Sequence, residues 1–194
     1  MKLVPALAVL CSGSGTNFQA ILDAVRRRRL KARVALMLSD NPGAFAVERA
    51  HRAGVPTVIV DRRRFAGRPA FERKLAQAID QAGASWIVLA GFMRVLSPWF
   101  VKKYRSHIVN IHPALLPLFP GPHGIRDALA HGARVTGVTV HLVDEQVDHG
   151  PILAQQTVPI KPKDTEETLL ERVHRVEHRL YPETLQRLLH ANHS

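Results

Sequence analysis

Three stretches of the chain carry residue types that could do chemistry. The first is Asn110-Ile111-His112-Pro113. In an extended strand side chains alternate, so Asn110 and His112 point to the same face. An amide donor beside an imidazole can bind a developing oxyanion and move a proton; alone, the same pair also serves as an ordinary satisfied hydrogen-bonding pair. The second, Val140-His141-Leu142-Val143-Asp144-Glu145-Gln146-Val147-Asp148-His149-Gly150, places carboxylates at 144, 145 and 148 in a turn between two β-rich runs. It reads as a metal loop, a solvated turn or a partner for His112, though the alternating oxygen-ligand spacing of a calcium loop is missing. The third is Ser12-Gly13-Ser14-Gly15-Thr16-Asn17. Small residues let a backbone close its amides around an anion, and a following helix dipole favours negative charge. The loop suggests a phosphate monoester held by backbone N–H groups and the hydroxyls of Ser14 and Thr16. It is not a dinucleotide fingerprint, because the third glycine position falls on Phe18, and no Gly-Lys-Ser/Thr follows to make a Walker loop.

Two other patterns read as decoys. His174-Arg175-Val176-Glu177-His178 matches the HxxEH of zinc peptidases. A chain with 11 histidines produces such pairs by chance, and only Glu183 follows as a carboxylate side chain to complete the ligands. No metal is expected. Cys11, the one cysteine, excludes a disulfide framework and reads as a small buried hydrophobe.

These residues need strands that end at the right places. Residues 3–10 form a short apolar run closed by the Gly/Ser turn, which predicts a buried first strand. Phe18, Ile21, Leu22 and Val25 recur with helical spacing directly after it. Strands are expected at 34–38, 57–60, 86–90 and 108–111, with helices through 44–53, 69–81 and a short one from Pro98. This βαβαβ rhythm predicts a parallel, doubly wound sheet, with Gly13–Asn17 and Asn110–His112 at carboxyl ends of strands. Beyond a Pro-rich loop at 113–123, residues 135–143 and 152–158 are β-rich. A long helix is expected over 165–189, opened by an N-cap at Asp164-Thr165 and acidic residues in its first turn.

At 194 residues, 46% hydrophobic, the chain suits one globular domain spanning 1–194. No apolar run reaches the roughly 20 residues that span a bilayer. The basic, apolar start reads as a strand and not a signal peptide, because it ends in a turn and not a cleavage site. The expectation is a cytoplasmic protein without membrane partners. Its net charge of +11 is lopsided: residues 1–97 hold 16 basic and 6 acidic side chains, and 98–194 hold 11 and 10. Runs at 26–29 and 62–64 could bind nucleic acid. Yet the first sits where a helix should end, favourable for its dipole, and no aromatic residues interleave to stack bases. A solvated face suits them better, and a basic half also suits small anionic substrates.

Taken together, the residues resemble the folate-dependent phosphoribosylglycinamide formyltransferase family of purine synthesis. The resemblance runs from about Ala8 to about Pro182, on the 12–17 loop, Leu89-Ala-Gly-Phe-Met-Arg-Val-Leu-Ser-Pro98, Asn110-Ile-His-Pro113 with Leu115-Leu-Pro117, and Val147-Asp-His-Gly-Pro-Ile152. It implies a doubly wound, mostly parallel, Rossmann-like α/β sheet with a β-rich C-terminal portion and a long C-terminal helix. It implies transfer of a formyl group from 10-formyltetrahydrofolate, a co-substrate, to the amine of phosphoribosylglycinamide, by a monomer or homodimer without metal or nucleic acid. Asn110, His112 and Asp148 would be the catalytic set. Gly13, Ser14, Gly15, Thr16 and Asn17 would hold the ribose phosphate, and Glu177 the ribosylglycinamide part. Met93, Arg94, Val95 and Leu96 would present backbone groups to the pterin, with Asn110 beside it and Asp144 on the loop closing over it; Arg68 would lie near the folate tail. Leu118, Phe119 and His149 depart from many relatives, His149 as a neighbour that could shift the titration of Asp148. A formyltetrahydrofolate hydrolase is the alternative, using a similar Asn-x-His and Asp without a phosphate anchor. Such hydrolases commonly carry an extra N-terminal domain, whereas strand one opens this sequence.

Overall fold

In a computed structural model, residues 4–191 are described. The chain runs β1 (Ala6–Cys11), α1 (Thr16–Arg26), β2 (Arg33–Ser39), α2 (Phe45–Arg52), β3 (Thr57–Ile59), a 3₁₀ turn at Arg62–Arg64, α3 (Arg68–Gln81), β4 (Trp86–Leu89), α4 (Pro98–Lys103), β5 (Ile108–His112), α5 (Gly124–Ala130), β6 (Val135–Leu142), β7 (Ile152–Pro159) and α6 (Glu166–His190). One seven-stranded sheet has the order β3-β2-β1-β4-β5-β6-β7. Strands β1 to β5 are parallel, and β6 and β7 add antiparallel to the β5 edge. The doubly wound α/β expectation therefore holds, with the β-rich tail completing the same sheet.

Why β1 reads as an unbroken apolar run is plain from its two faces. Leu7, Val9 and Cys11 enter one core with α1 and α6, whereas Ala8 and Leu10 enter another with α3 and α4. A parallel strand covered on both sides has no polar face to alternate. Leu3, where the sequence reading starts this strand, lies outside the described residues. Other boundaries move by a residue or so; β5 extends to His112 and so carries both polar residues of its motif. The cap of α6 is Thr165, whose hydroxyl accepts from Thr168 N in a reciprocal capping box. Asp164 instead takes a bidentate pair of bonds from Arg172, at 2.7 and 2.8 Å. Helix α5 has no counterpart in the sequence reading: it is seven residues long and opens on a glycine directly after the Pro-rich loop.

The topology creates one crevice. Chain direction across the sheet reverses between β1 and β4, and ligands of open α/β sheets bind outside strand carboxyl ends at such a switch point. The 12–17 loop leaves β1 there, and the 91–97 loop leaves β4 beside it. The two are stitched together: Ser12 N donates to Gly91 O at 3.0 Å, and Met93 N donates to Ser12 Oγ at 2.8 Å.

Candidate active site

Asn110 and His112 stand at the end of β5, and the antiparallel register sets His141 of β6 directly opposite Asn110. The turn after β6 then carries Asp148 back over both. Its backbone is left-handed, at φ 50°, a conformation that Asp tolerates better than most residues. Asp148 Oδ2 lies 3.3 Å from His112 Nδ1 and accepts from Gly121 N at 2.8 Å. Asp148 Oδ1 accepts from Asn110 Nδ2 at 3.3 Å and lies 3.6 Å from His141 Nε2. Of the three readings open for the acidic turn, Asp148 takes that of His112's partner. The other two carboxylates turn away, Asp144 to His149 at 2.7 Å and Glu145 to Lys102 at 3.7 Å. The expectation that His149 perturbs Asp148 is corrected: its imidazole is drawn to Asp144.

Burial pushes the Asp148 carboxyl up, but the bond with His141, the charge of His112 and the Gly121 N–H together outweigh it and hold it below its ordinary value of 3.8. It is therefore a carboxylate at neutral pH. His112 is 4% exposed, and its Nε2 donates to the Phe119 carbonyl at 2.8 Å. With Nδ1 facing Asp148, both ring nitrogens meet oxygen acceptors, the pattern an imidazolium satisfies. His141 Nδ1 lies 2.8 Å from Leu142 O, and its Nε2 lies between Asn110 Nδ2 at 3.2 Å and Asp148 Oδ1 at 3.6 Å. The His112 ring assignment follows from its bonding pattern. His141 lies within the 140–150 stretch singled out in the sequence, where no role falls to it. Its signal was a polar residue amid the apolar Val140 and Leu142, but only strand register brings it to Asn110.

These groups line a cavity of about 350 Å³ with Met93, Arg94, Val95 and Leu96 on one side and Val143, Asp144 and Val147 on the other. Met93 and Val95 are exposed and Leu96 is buried. The backbone N–H of Met93 is already bonded to Ser12, and the Arg94 guanidinium is bound to the buried Asp40 at 2.6 Å. Arg68 does not line this cavity. It pairs with the buried Glu72 at 3.3 Å, and Glu72 also accepts from Ser97 N at 2.7 Å and from Ser97 Oγ, so Arg68 is tied to the residue after Leu96.

The phosphate-type loop lies apart. Strands β1 and β5 flank β4, so their ends stand about 10 Å apart at ordinary strand spacing. Gly15 sits at φ 69°, and a Cβ there would come within 2.7 Å of Ala46 Cβ, so only glycine lets the loop close against α2. Gly13 and Ser14 are exposed, while Thr16 opens α1. Asn17 Nδ2 donates to Glu177 Oε2 at 2.9 Å, so α6 delivers Glu177 to the loop. Burial raises the Glu177 carboxyl, offset in part by the Asn17 bond and the charge of His174. The HxxEH pattern makes no metal cage here: Glu177 is committed to Asn17, and the His174 and His178 rings stack with centroids 5.7 Å apart. Among the described residues no three His, Cys, Asp or Glu side chains are placed to share a metal ion. Cys11 is fully buried and its thiol is pushed up to about 12 by burial, which makes it inert.

A switch-point sheet with an amide, an imidazole and a carboxylate gathered at one strand end, and an anion-ready loop about two strands away, defines an α/β enzyme of carbonyl-group transfer. The comparisons narrow that class. The formyl transferase family matches residues 6–185. The phosphoribosylglycinamide formyltransferase of Escherichia coli (strain K12) is 42% identical over 176 residues, covering 91% of this chain and 83% of that protein. Its Bacillus subtilis counterpart is 38% identical, over 95% of both. The crystal structure of glycinamide ribonucleotide transformylase 1 from Geobacillus kaustophilus aligns with a TM-score of 0.94 at 49% identity, covering 96% of this chain and all of that one. The trifunctional purine biosynthetic protein adenosine-3 of Drosophila melanogaster matches 95% of the chain at 44% identity, but the match spans only 14% of that protein. The chain belongs to the formyl transferase family, in its phosphoribosylglycinamide formyltransferase branch.

Proposed function

We propose that the chain, acting as a single domain in the cytoplasm, moves the formyl group of 10-formyltetrahydrofolate onto the primary amine of 5'-phosphoribosylglycinamide. The observation that carries this reading is that the 13–17 loop and the Asn110–His112–Asp148 cluster leave strands on either side of β4, whose ends stand about 10 Å apart at ordinary strand spacing. A phosphate gripped by the loop amides, with the sugar beside Glu177, leaves the glycyl amine within reach of the cluster. The pterin end of the folate enters the cavity between residues 93–96 and 143–148 and presents the formyl carbon at its inner wall.

The amine nitrogen attacks the formyl carbon and the carbonyl electron pair moves onto oxygen. Asn110 and His112 donate to that oxyanion, and Asp148 orients the imidazole. The ammonium proton then leaves to water, folate N10 accepts a proton from His112 or from water as its bond to the formyl carbon breaks, and water returns any proton that His112 gave. The carbonyl re-forms as the formamide, so no metal is consumed or needed in the balance. One local change is demanded: His112 Nε2 donates to Phe119 O in the present arrangement, and that bond must be exchanged for the oxyanion.

A test follows deformylated folate appearing from 10-formyltetrahydrofolate with and without phosphoribosylglycinamide. Rapid release only with the acceptor is expected, and glycinamide lacking its phosphoribosyl group should be a very poor substitute. Fast formate release without acceptor would establish the hydrolase instead.

A further inference from the structure

Two features that the formyl-transfer reading leaves unused, the 26–29 arginine run and the face of α6 that carries Arg175, His178 and Arg179, meet at one place. A cleft of about 550 Å³ opens between α1 and α6, running from Thr16 in the first turn of α1 to Arg27 and Arg29 beyond its end. That volume falls within the range of small-molecule sites. Its apolar lining is Ala20 and Ala24 from α1 and Pro182 from α6, and its walls carry five arginines, Arg27, Arg29, Arg49, Arg175 and Arg179. Two of these are occupied. Arg49 donates to Ser14 O at 2.8 Å and to Gln19 Oε1 at 3.1 Å, and Arg179 donates to Gln156 Oε1 at 2.7 Å.

The other three guanidiniums, of Arg27, Arg29 and Arg175, have no carboxylate partner among the described residues. Two carboxylates line the cleft, Asp23 and Glu183. Asp23 is answered by Arg26 at 3.6 Å and by Gln19 at 3.2 Å, so Glu183 alone opposes the three. His178 adds no charge: burial, then the charges of His174 and Arg49, hold its imidazole below its ordinary range. Its Nε2 is buried without a hydrogen-bond partner. Concentrated positive charge without counter-ions, around an apolar lining, is the complement of a ligand with several negative charges and one flat apolar group.

We propose that this cleft is a second anion site, which binds a nucleoside polyphosphate with its base against Ala20, Ala24 and Pro182 and its phosphates on Arg27, Arg29 and Arg175. Its near end adjoins the 13–17 loop through Thr16 and Arg49, but the arginine of α1 that would take the phosphates stands at the other end. Arg27 lies eleven residues beyond Thr16, about 16 Å along the helix, too far for it to serve a phosphate held at the loop. It is also ill-suited to a nucleic-acid strand, which needs a series of stacking aromatics, whereas the cleft lining has none.

The probes are ADP and inorganic pyrophosphate, titrated calorimetrically into the full chain already saturated with phosphoribosylglycinamide. One ADP per chain is expected, with pyrophosphate bound about tenfold more weakly because it leaves the apolar lining uncovered. The double variant Arg27→Gln, Arg175→Gln, at two exposed positions, should weaken ADP by at least about tenfold while leaving formyl transfer without ADP unchanged. Several results would overturn the proposal: no ADP binding up to about 1 mM, displacement of ADP by phosphoribosylglycinamide, undiminished binding in the double variant, or a single-stranded oligonucleotide outcompeting ADP at the same arginines.

Discussion

Replacing Asp148 by Asn removes a charge and leaves the shape. The left-handed backbone at φ 50° suits Asn as well as Asp, and an amide oxygen in place of Oδ2 keeps the Gly121 N–H bonded. What disappears is the negative charge 3.3 Å from His112 Nδ1. Two unit charges at that distance attract by about 5 kcal/mol at an effective dielectric of 20. The side chains are only 11% and 5% exposed, so salt screens the pair weakly. Local relaxation returns part of the loss, and about 3–4 kcal/mol, or 10²–10³ in turnover, is the expected cost. The new NH₂ also faces Asn110 Nδ2, donor against donor, which loosens the second oxyanion group. The assay is kcat with both substrates saturating, with a thermal melt to verify the fold. Because the Asp148 carboxyl titrates below its ordinary 3.8, its charge is complete above that pH and is lost only as pH falls through the lowered value. Any limb in the wild-type rate between about pH 5 and 8 must then come from another group. A D148N enzyme turning over within about threefold of wild type, with an unchanged melt, would refute this reasoning.

Other outcomes follow from the same geometry. Gly15→Val puts a β-branched residue at φ 69° against Ala46; the KM for the ribonucleotide should rise by about tenfold or more, while folate affinity, read by fluorescence titration, stays within about twofold. Tyr181→Phe removes a buried hydroxyl that bonds Leu89 O at 2.9 Å and Val109 O at 3.0 Å. It should cost about 1–2 kcal/mol, a Tm loss of about 3–6 °C, with kcat intact; an unchanged melt would mean the two carbonyls need no partner. Prolonged chelation should leave turnover unaffected, and elemental analysis should find no stoichiometric zinc; activity lost to chelator and regained only with zinc would place a metal at His174 and His178.

Much of the frame was legible because its signals are local. The apolar runs of β1, β2, β4 and β5, the spacing of Phe18, Ile21 and Val25, and the caps around α6 each depend on a few neighbouring residues. The same holds for the pairing of Asn110 with His112, which needs only that β5 be extended. What depends on register or on loop path was not legible. His141 reaches Asn110 through antiparallel pairing of strands thirty residues apart in sequence, and nothing local in Val140-His141-Leu142 announces it. His149 adjoins Asp148 in the chain, yet the left-handed turn at 148 sends the two side chains to different partners. Helix α5 is too short to display a period, and the Phe119 carbonyl that caps His112 belongs to a loop whose course no spacing rule predicts.

The site is best understood as two half-sites tied at the switch point. The Ser12 contacts with Gly91 and Met93 and the Asp40–Arg94 pair run from the β1 and β2 ends to the loop after β4. They hold the 12–17 loop and the 93–96 wall of the cavity, on the proposed reading the ribonucleotide half and the folate half, in one frame. That rigidity matters because the Asn–His–Asp cluster has no means of preferring an amine over water; it stabilises the same oxyanion for either. Preference has to come from position. On the proposed reading, phosphate binding about 10 Å away holds the amine at the formyl carbon, and interactions remote from the reacting atoms raise the rate of that one attack without changing the carbonyl. Loosening the tie by removing the Ser12 Oγ bond to Met93 N, as Ser12→Ala would with the Gly91 bond and the Asp40–Arg94 pair left in place, should therefore lower transfer more than it lowers the affinity for either substrate. Transfer and affinity falling in equal proportion would mean that Ser12 serves binding alone.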